Sequence, residues 1–192
     1  MIRKKIIESR DVKNAILEDE ALISSVESAA YLMIDAFKND RKVLFCGNGG
    51  SAADAQHLAA ELSGRFYKNR PALYAEALHV NSSFMTAVAN DFGYDHVYSR
   101  MVEASGRRGD ILVAISTSGN STNILNAINK AKEIGMKVIG MTGRSGGAMK
   151  DHCDILLNVP SNDTPRIQEI HILFGHIICE MIEKELFDDN QF

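Results

Sequence analysis

Val43-Leu44-Phe45-Cys46-Gly47-Asn48-Gly49-Gly50-Ser51-Ala52-Ala53-Asp54 decides the fold, because a short apolar run passes straight into glycines and then into a helix-forming composition. An apolar run of that length, stopped by glycine, reads as a buried strand feeding a helix. Working outward, similar runs recur at 73–78 (LYAEAL, the weakest), 111–115 (ILVAI), 137–141 (KVIGM) and 154–159 (DILLNV), with helical patterns between them. That alternation predicts parallel strands joined by crossover helices, a doubly wound α/β sheet. Upstream, Ile16, Leu17, Ile23, Val26, Ala30, Met33, Ile34 and Phe37 recur at helical spacing, which predicts one long N-terminal helix over 13–38. Pro160 and Pro165 bracket the entry to a last apolar helix. Both terminal helices are apolar on more than one face. Either a second subunit covers the surplus, with residues 1–39 as the oligomerisation element, or the monomer carries a thick helical layer.

A length of 192 residues with 45% hydrophobic content fits one domain over 1–192. A net charge of −4, with basic residues concentrated only at 3–5, 68–70 and 107–108, disfavours nucleic acid as a partner. Cys46, Cys153 and Cys179 are odd in number and lack CxxC spacing. Neither a disulfide framework nor a thiolate zinc site is indicated, and a reducing compartment, the cytoplasm, is expected. The basic start MIRKKIIESRDVKNAIL lacks the apolar core of a signal peptide, so it should remain on the protein. Gln168, Glu169, His171, His176 and Glu180 interrupt the apolar run from Ile167 to Phe187, which excludes it as a membrane span.

Three motifs carry chemistry. In the turn after the first strand, the glycines let backbone approach a ligand, and Ser51 with Asp54 can cap the following helix in the manner of a capping box. The spacing is neither GxGxxG nor a P-loop, and such a turn alone is as often architecture as a binding site. The second motif, Ser116-Thr117-Ser118-Gly119-Asn120-Ser121-Thr122, also links a buried strand to a helix. Its hydroxyls, beside a helix N-terminus, can hold a phosphate; alone it reads equally as a capped polar loop. Two such turns at the carboxyl ends of parallel strands define one crevice, which favours binding. Third, His57 and Glu61 share a helical face, as do Gln168 and His176. If those faces meet, two imidazoles, a carboxylate and an amide oxygen form a set suited to zinc or a similar divalent ion. Spacing alone does not show that they meet. His79, His96, His152 and His171 have no comparable partner and read as surface or structural residues.

The order CGNGGSAADAQHLAAELSGRF (46–66), ANDFGY (89–94), AISTSGNS (114–121), MTGRSGG (141–147) and RIQEIH (166–171) resembles the bacterial phosphoheptose isomerase family over nearly the whole chain. The resemblance implies the sugar isomerase fold, with a five-stranded parallel sheet flanked by helices, and a homotetramer with active sites at subunit interfaces. It implies conversion of sedoheptulose 7-phosphate to D-glycero-D-manno-heptose 7-phosphate through an enediol, the first step of heptose precursor biosynthesis for lipopolysaccharide. By position it implies a substrate pocket lined by Asn48, Gly49, Gly50 and Ser51, and phosphate held by Ser116, Thr117, Ser118 and Ser121. Asn90 and Asp91 would contact sugar hydroxyls, with Arg65 a weaker candidate. One zinc per subunit would be held by His57, Glu61, Gln168 and His176; Glu61 and Gln168 would also touch substrate, and Glu61 and His176 would be the acid/base pair. Two rivals remain: an isomerase for another phosphosugar, and a non-catalytic relative that binds the replication initiator. That relative lacks the carboxylate and imidazole matching Glu61 and His176, and both are present here.

Overall fold

The computed structural model describes residues 1–187; the last five residues of the domain expected over 1–192 lie outside the described residues. The first helical stretch is two helices, α1 (Ile2–Leu17) and α2 (Glu20–Lys38). This corrects the single helix expected over 13–38. Periodicity runs through the break, but the Asp19 side chain accepts from the Leu22 N–H at 3.0 Å and so starts a new helix. Five strands follow: β1 (Val43–Gly47), β2 (Ala75–Ala77), β3 (Ile111–Ile115), β4 (Lys137–Thr142) and β5 (Ile155–Asn158). Between and after them lie α3 (Gly50–Ser63), α4 (Ser82–Phe92), α5 (Val97–Ser105), α6 (Thr122–Ile134) and α7 (Thr164–Phe187). Two short 3₁₀ turns occupy Tyr94–His96 and Gly147–Asp151.

The sheet is wholly parallel in the order β2-β1-β3-β4-β5. Because side chains alternate across a strand, the sheet feeds two cores. Val43, Phe45, Val113, Ile139 and Leu157 pack with α2, α3 and α7, whereas Leu44, Cys46, Leu112, Ala114 and Val138 pack with Leu78, Tyr98, Ile124 and Ile128. No helix among the described residues is long and apolar enough to cross a membrane. α7 instead buries Ile167, Ile170, Phe174, Ile178 and Ile182 against the sheet and its neighbours.

The strand order places the site. From β1 the chain moves outward to β2 and then returns to the other side of β1 as β3. The carboxyl ends of β1 and β3 therefore flank the switch point, the crevice where open α/β sheets take ligands. Both motif turns leave the sheet at this point.

Candidate functional site

Glycine shapes the β1–α3 turn. Gly49 stands at φ 57°, ψ −120°, a conformation closed to side-chain-bearing residues, and α3 begins at Gly50 without a side-chain cap. This corrects the capping-box expectation: Ser51 lies inside the first turn, 4% exposed, and a buried Asp54 carboxylate oxygen has no hydrogen-bond partner. Burial raises the Asp54 pKa, against the lowering influence of His57. A Cβ on Gly47 would sit 2.6 Å from the Ser51 carbonyl carbon, so only glycine lets strand and helix approach this closely. Asn48 joins the two turns. It donates to Asn123 Oδ1 at 2.9 Å and accepts from Asn123 Nδ2 at 2.9 Å, a reciprocal amide pair with Asn123 buried. The Tyr94 hydroxyl donates to Asn48 Oδ1 at 3.3 Å, and the Tyr98 hydroxyl donates to the Gly47 carbonyl.

In the β3–α6 turn, Ser116 Oγ lies 3.1 Å from Ser121 Oγ and 3.5 Å from Ser118 Oγ, and the Asn120 N–H donates to Ser118 Oγ at 3.2 Å. Ser121 is the N-cap residue of α6, yet its side chain bonds no helix N–H. The hydroxyls thus face one another beside the unpaired N–H groups of a helix start, an arrangement an oxyanion can bridge. Thr117, Ser118 and Asn120 also line a cavity of about 290 Å³ with Arg144, Ser161 and Thr164. Asn90 and Asp91 are exposed in the last turn of α4, where Asn90 Nδ2 donates to Asp91 Oδ1 at 2.8 Å; Tyr94, just beyond them, reaches Asn48. Arg65 is exposed in the loop after α3.

The faces of α3 and α7 do meet. His57 Nε2 stands 3.0 Å from Glu61 Oε1 and 3.4 Å from His176 Nε2, and one donor atom from each residue lies within 4.8 Å of the others. The closeness depends on Gly175, whose Cα packs against Leu58: a Cβ there would stand 2.5 Å from Leu58 Cδ1 and 3.0 Å from its Cγ. Gln168 lies on the same seam about two turns earlier on α7, with its amide against Gly50, where a Cβ would meet Gln168 Nε2 at 2.5 Å. Three of the four expected ligands therefore converge.

Several supporting residues escaped the sequence reading. The His176 ring stacks on Phe66, with centroids 5.5 Å apart and planes at 27°. Glu183 is 1% exposed and accepts from the N–H groups of Phe66, Tyr67 and Lys68 and from Arg70 Nε. Burial alone would raise the Glu183 pKa; these donors hold it below the usual glutamate value. A carboxylate in the apolar register of α7, one turn after Cys179, was the available signal, since a buried charge needs a partner. His171 is fully buried, its Nε2 is 3.1 Å from the Thr142 carbonyl, and burial pulls its pKa down to about 4. It is a neutral structural group. All three cysteines are free. Burial pushes Cys153 and Cys179 up to about 12 and Cys46 higher still, which removes thiolate chemistry.

A wholly parallel sheet with two polar turns at its switch point and a His/Glu cluster beside them defines a small-molecule site of the doubly wound class. Residues 8–143 match the family model of the SIS domain, and the chain belongs to that family. Within it the likeness is to phosphoheptose isomerases. The phosphoheptose isomerase of Clostridium acetobutylicum is 51% identical over 98% of this chain and 96% of its own. That of Aliarcobacter butzleri is 55% identical over 87% and 88%. The solved phosphoheptose isomerase of Neisseria gonorrhoeae superposes with a TM-score of 0.90 at 46% identity, covering 95% of this chain and 97% of that one.

Proposed function

We propose that this protein isomerises sedoheptulose 7-phosphate to D-glycero-D-manno-heptose 7-phosphate. The observation that carries this reading is the meeting of Glu61 and His176 across the α3–α7 seam, in a chain about half identical to phosphoheptose isomerases over nearly its full length. The ketose-to-aldose change moves one proton from C1 to C2 and another from O1 to O2, with no net redox. Glu61 is half-buried and held by His57 at 3.0 Å; its carboxylate takes the C1 proton and returns it at C2. His176, whose ring is fixed between neighbours, shuttles the proton between the oxygens. Each such group contributes about 10²–10⁴ in rate. Ser116, Thr117, Ser118 and Ser121 hold the phosphate end, which sets the reacting end toward the seam, and Asn48, Gly49, Gly50, Ser51, Asn90 and Asp91 surround the hydroxyls between.

The residues at the seam fit zinc. Two imidazole Nε2 atoms and a carboxylate oxygen converge, a borderline donor set, and two ring nitrogens 3.4 Å apart share at most one hydrogen bond between them. His57, Glu61 and His176 would hold it, with Gln168 as the fourth ligand that the family resemblance implies. When bound, zinc would polarise the substrate oxygens or keep the three side chains in shape.

The working form we propose is a cytoplasmic homotetramer supplying heptose for a surface polysaccharide such as lipopolysaccharide. An apolar groove of about 500 Å³, lined by Ile16, Leu17, Ile23, Val26, Phe174 and Ile177, supports the oligomer, and Ile2, Ile6 and Leu17 on α1 are strongly exposed. Incubation with sedoheptulose 7-phosphate tests the activity: an aldose 7-phosphate should accumulate, and its absence with folded, zinc-supplemented protein would remove the isomerase reading.

A further inference from the structure

The buried carboxylate of Glu183 lies on α7 two turns after His176, the same face of the helix. Its Oε1 accepts from the Phe66 N–H and Arg70 Nε, each at 2.9 Å, and its Oε2 accepts from the N–H groups of Tyr67 at 2.8 Å and Lys68 at 2.9 Å. The Arg70 side chain is itself wholly buried and spends its remaining donors on carbonyls: Nη2 on Glu61 at 2.8 Å, and Nη1 on Leu62 at 2.8 Å and Pro71 at 3.0 Å. Glu61 and Leu62 belong to the last turn of α3, where carbonyls lack helical partners. One charged knot therefore joins the end of α3, the 64–70 loop and α7.

Both arms of the knot reach the reacting pair. Arg70 grips the backbone of Glu61. Glu183 grips the backbone of Phe66, whose ring lies on His176, while His57 meets the same imidazole edge-on at 5.1 Å. A buried ion pair is weak grounds for stability, because apolar replacements of equal volume often serve as well. Its connections to both reacting groups suggest a second role.

We propose that Glu183 and Arg70 are positioning residues: through the Glu61 backbone and the Phe66 ring they set how Glu61 and His176 face each other across the α3–α7 seam. The proposal rests on the isomerase reading for its kinetic consequence but not for its structural one. Glu183→Gln keeps the shape and removes the charge. Arg70→Lys keeps the charge, loses the forked contacts to Glu61 and Leu62, and carries the test where Glu183→Gln does not fold. Each is compared with wild type for kcat, KM and zinc affinity, the last by competition with a chromophoric chelator. We expect KM within about threefold of wild type, kcat lowered about tenfold or more, and zinc affinity lowered about 10–100-fold, as for outer partners of metal ligands.

Asp110→Asn is the control. It breaks a buried pair with Lys42 (2.6 Å) at the amino ends of β1 and β3, away from the seam, and should lower thermal stability while leaving kcat and zinc affinity unchanged. Folded Glu183→Gln or Arg70→Lys with wild-type kcat and zinc affinity overturns the proposal. So does an Asp110→Asn protein that loses kcat and zinc affinity in step with its stability. A wild-type protein that converts no sugar phosphate sinks the isomerase reading instead, and the zinc affinities still decide the positioning role.

Discussion

Gly175→Ala probes the seam on which the site is built. An added Cβ would stand 2.5 Å from Leu58 Cδ1 and 3.0 Å from Leu58 Cγ, and Leu58 is 2% exposed and packed in the core, so it has little room to yield. Overpacking of this kind costs about 1–3 kcal/mol. Alanine returns about 0.5–1 kcal/mol through helix propensity, since Gly175 sits inside a regular helix. The net loss is about 1 kcal/mol, or about 2–4 °C in Tm for a chain of this size. The functional loss should be larger. His57 and His176 flank the contact, at 3.4 Å from each other, and a displacement on the order of 1 Å between reacting groups can cost about 10²-fold in rate. Thermal unfolding and turnover are measured on Gly175→Ala, Leu58→Val and the double variant. The shortened side chain should restore part of both quantities, with a coupling of about 0.5–3 kcal/mol in the cycle. A Gly175→Ala protein more stable than wild type and fully active would refute the claim that close helix approach sets the site.

Other outcomes follow from separate parts of the molecule. Ser116→Ala or Ser121→Ala should weaken phosphosugar binding by about 1.5–3 kcal/mol, the worth of a hydrogen bond to a charged group, with little change in Tm; the reverse pattern in calorimetry would leave the turn a purely structural cap. His171 has a folded-state pKa of about 4 against an ordinary 6.5, so the fold favours its neutral form. Its contribution is complete above pH 6.5 and is lost as pH falls toward 4, up to about 3 kcal/mol. Denaturant titrations of wild type and His171→Gln should therefore converge with acidity, and parallel curves would contradict the assignment. Light scattering at micromolar concentration should report four chains, and a stable monomer of 21.1 kDa would leave the apolar groove unexplained.

Much of the fold was legible because apolar runs and glycine stops are local signals. Val43–Gly47 and Ile111–Ile115 are buried at every position, so each shows as an unbroken apolar run. β2 was the faintest because only Ala75–Ala77 pairs and its middle residue, Glu76, is half-exposed. The break at Glu18–Asp19 went unread because the apolar spacing continues across it, and only the side-chain bond from Asp19 marks the new start. At the site, spacing grouped His57 with Glu61 and Gln168 with His176, but tertiary packing at Gly175 decides that the two groups meet. Asn123, Tyr94, Tyr98, Phe66, Arg70 and Glu183 act through partners between 46 and 117 residues away or through turn geometry, and no period in the sequence encodes such pairings. Gln168 was legible as a residue facing the seam, and its amide rests on Gly50 at the start of α3.

The division of labour between Glu61 and His176 is tested most directly by following sedoheptulose 7-phosphate in deuterated water with wild-type protein and Glu61→Gln. The amide keeps the side-chain shape and a possible oxygen ligand but removes the carbon base. Wild type should form the aldose phosphate and place deuterium at C2 to the extent that the abstracted proton exchanges before its return. Folded Glu61→Gln should still bind the phosphosugar and should lose about 10²–10⁴ in turnover. Near wild-type turnover by folded Glu61→Gln would contradict the assignment of Glu61 as the carbon base.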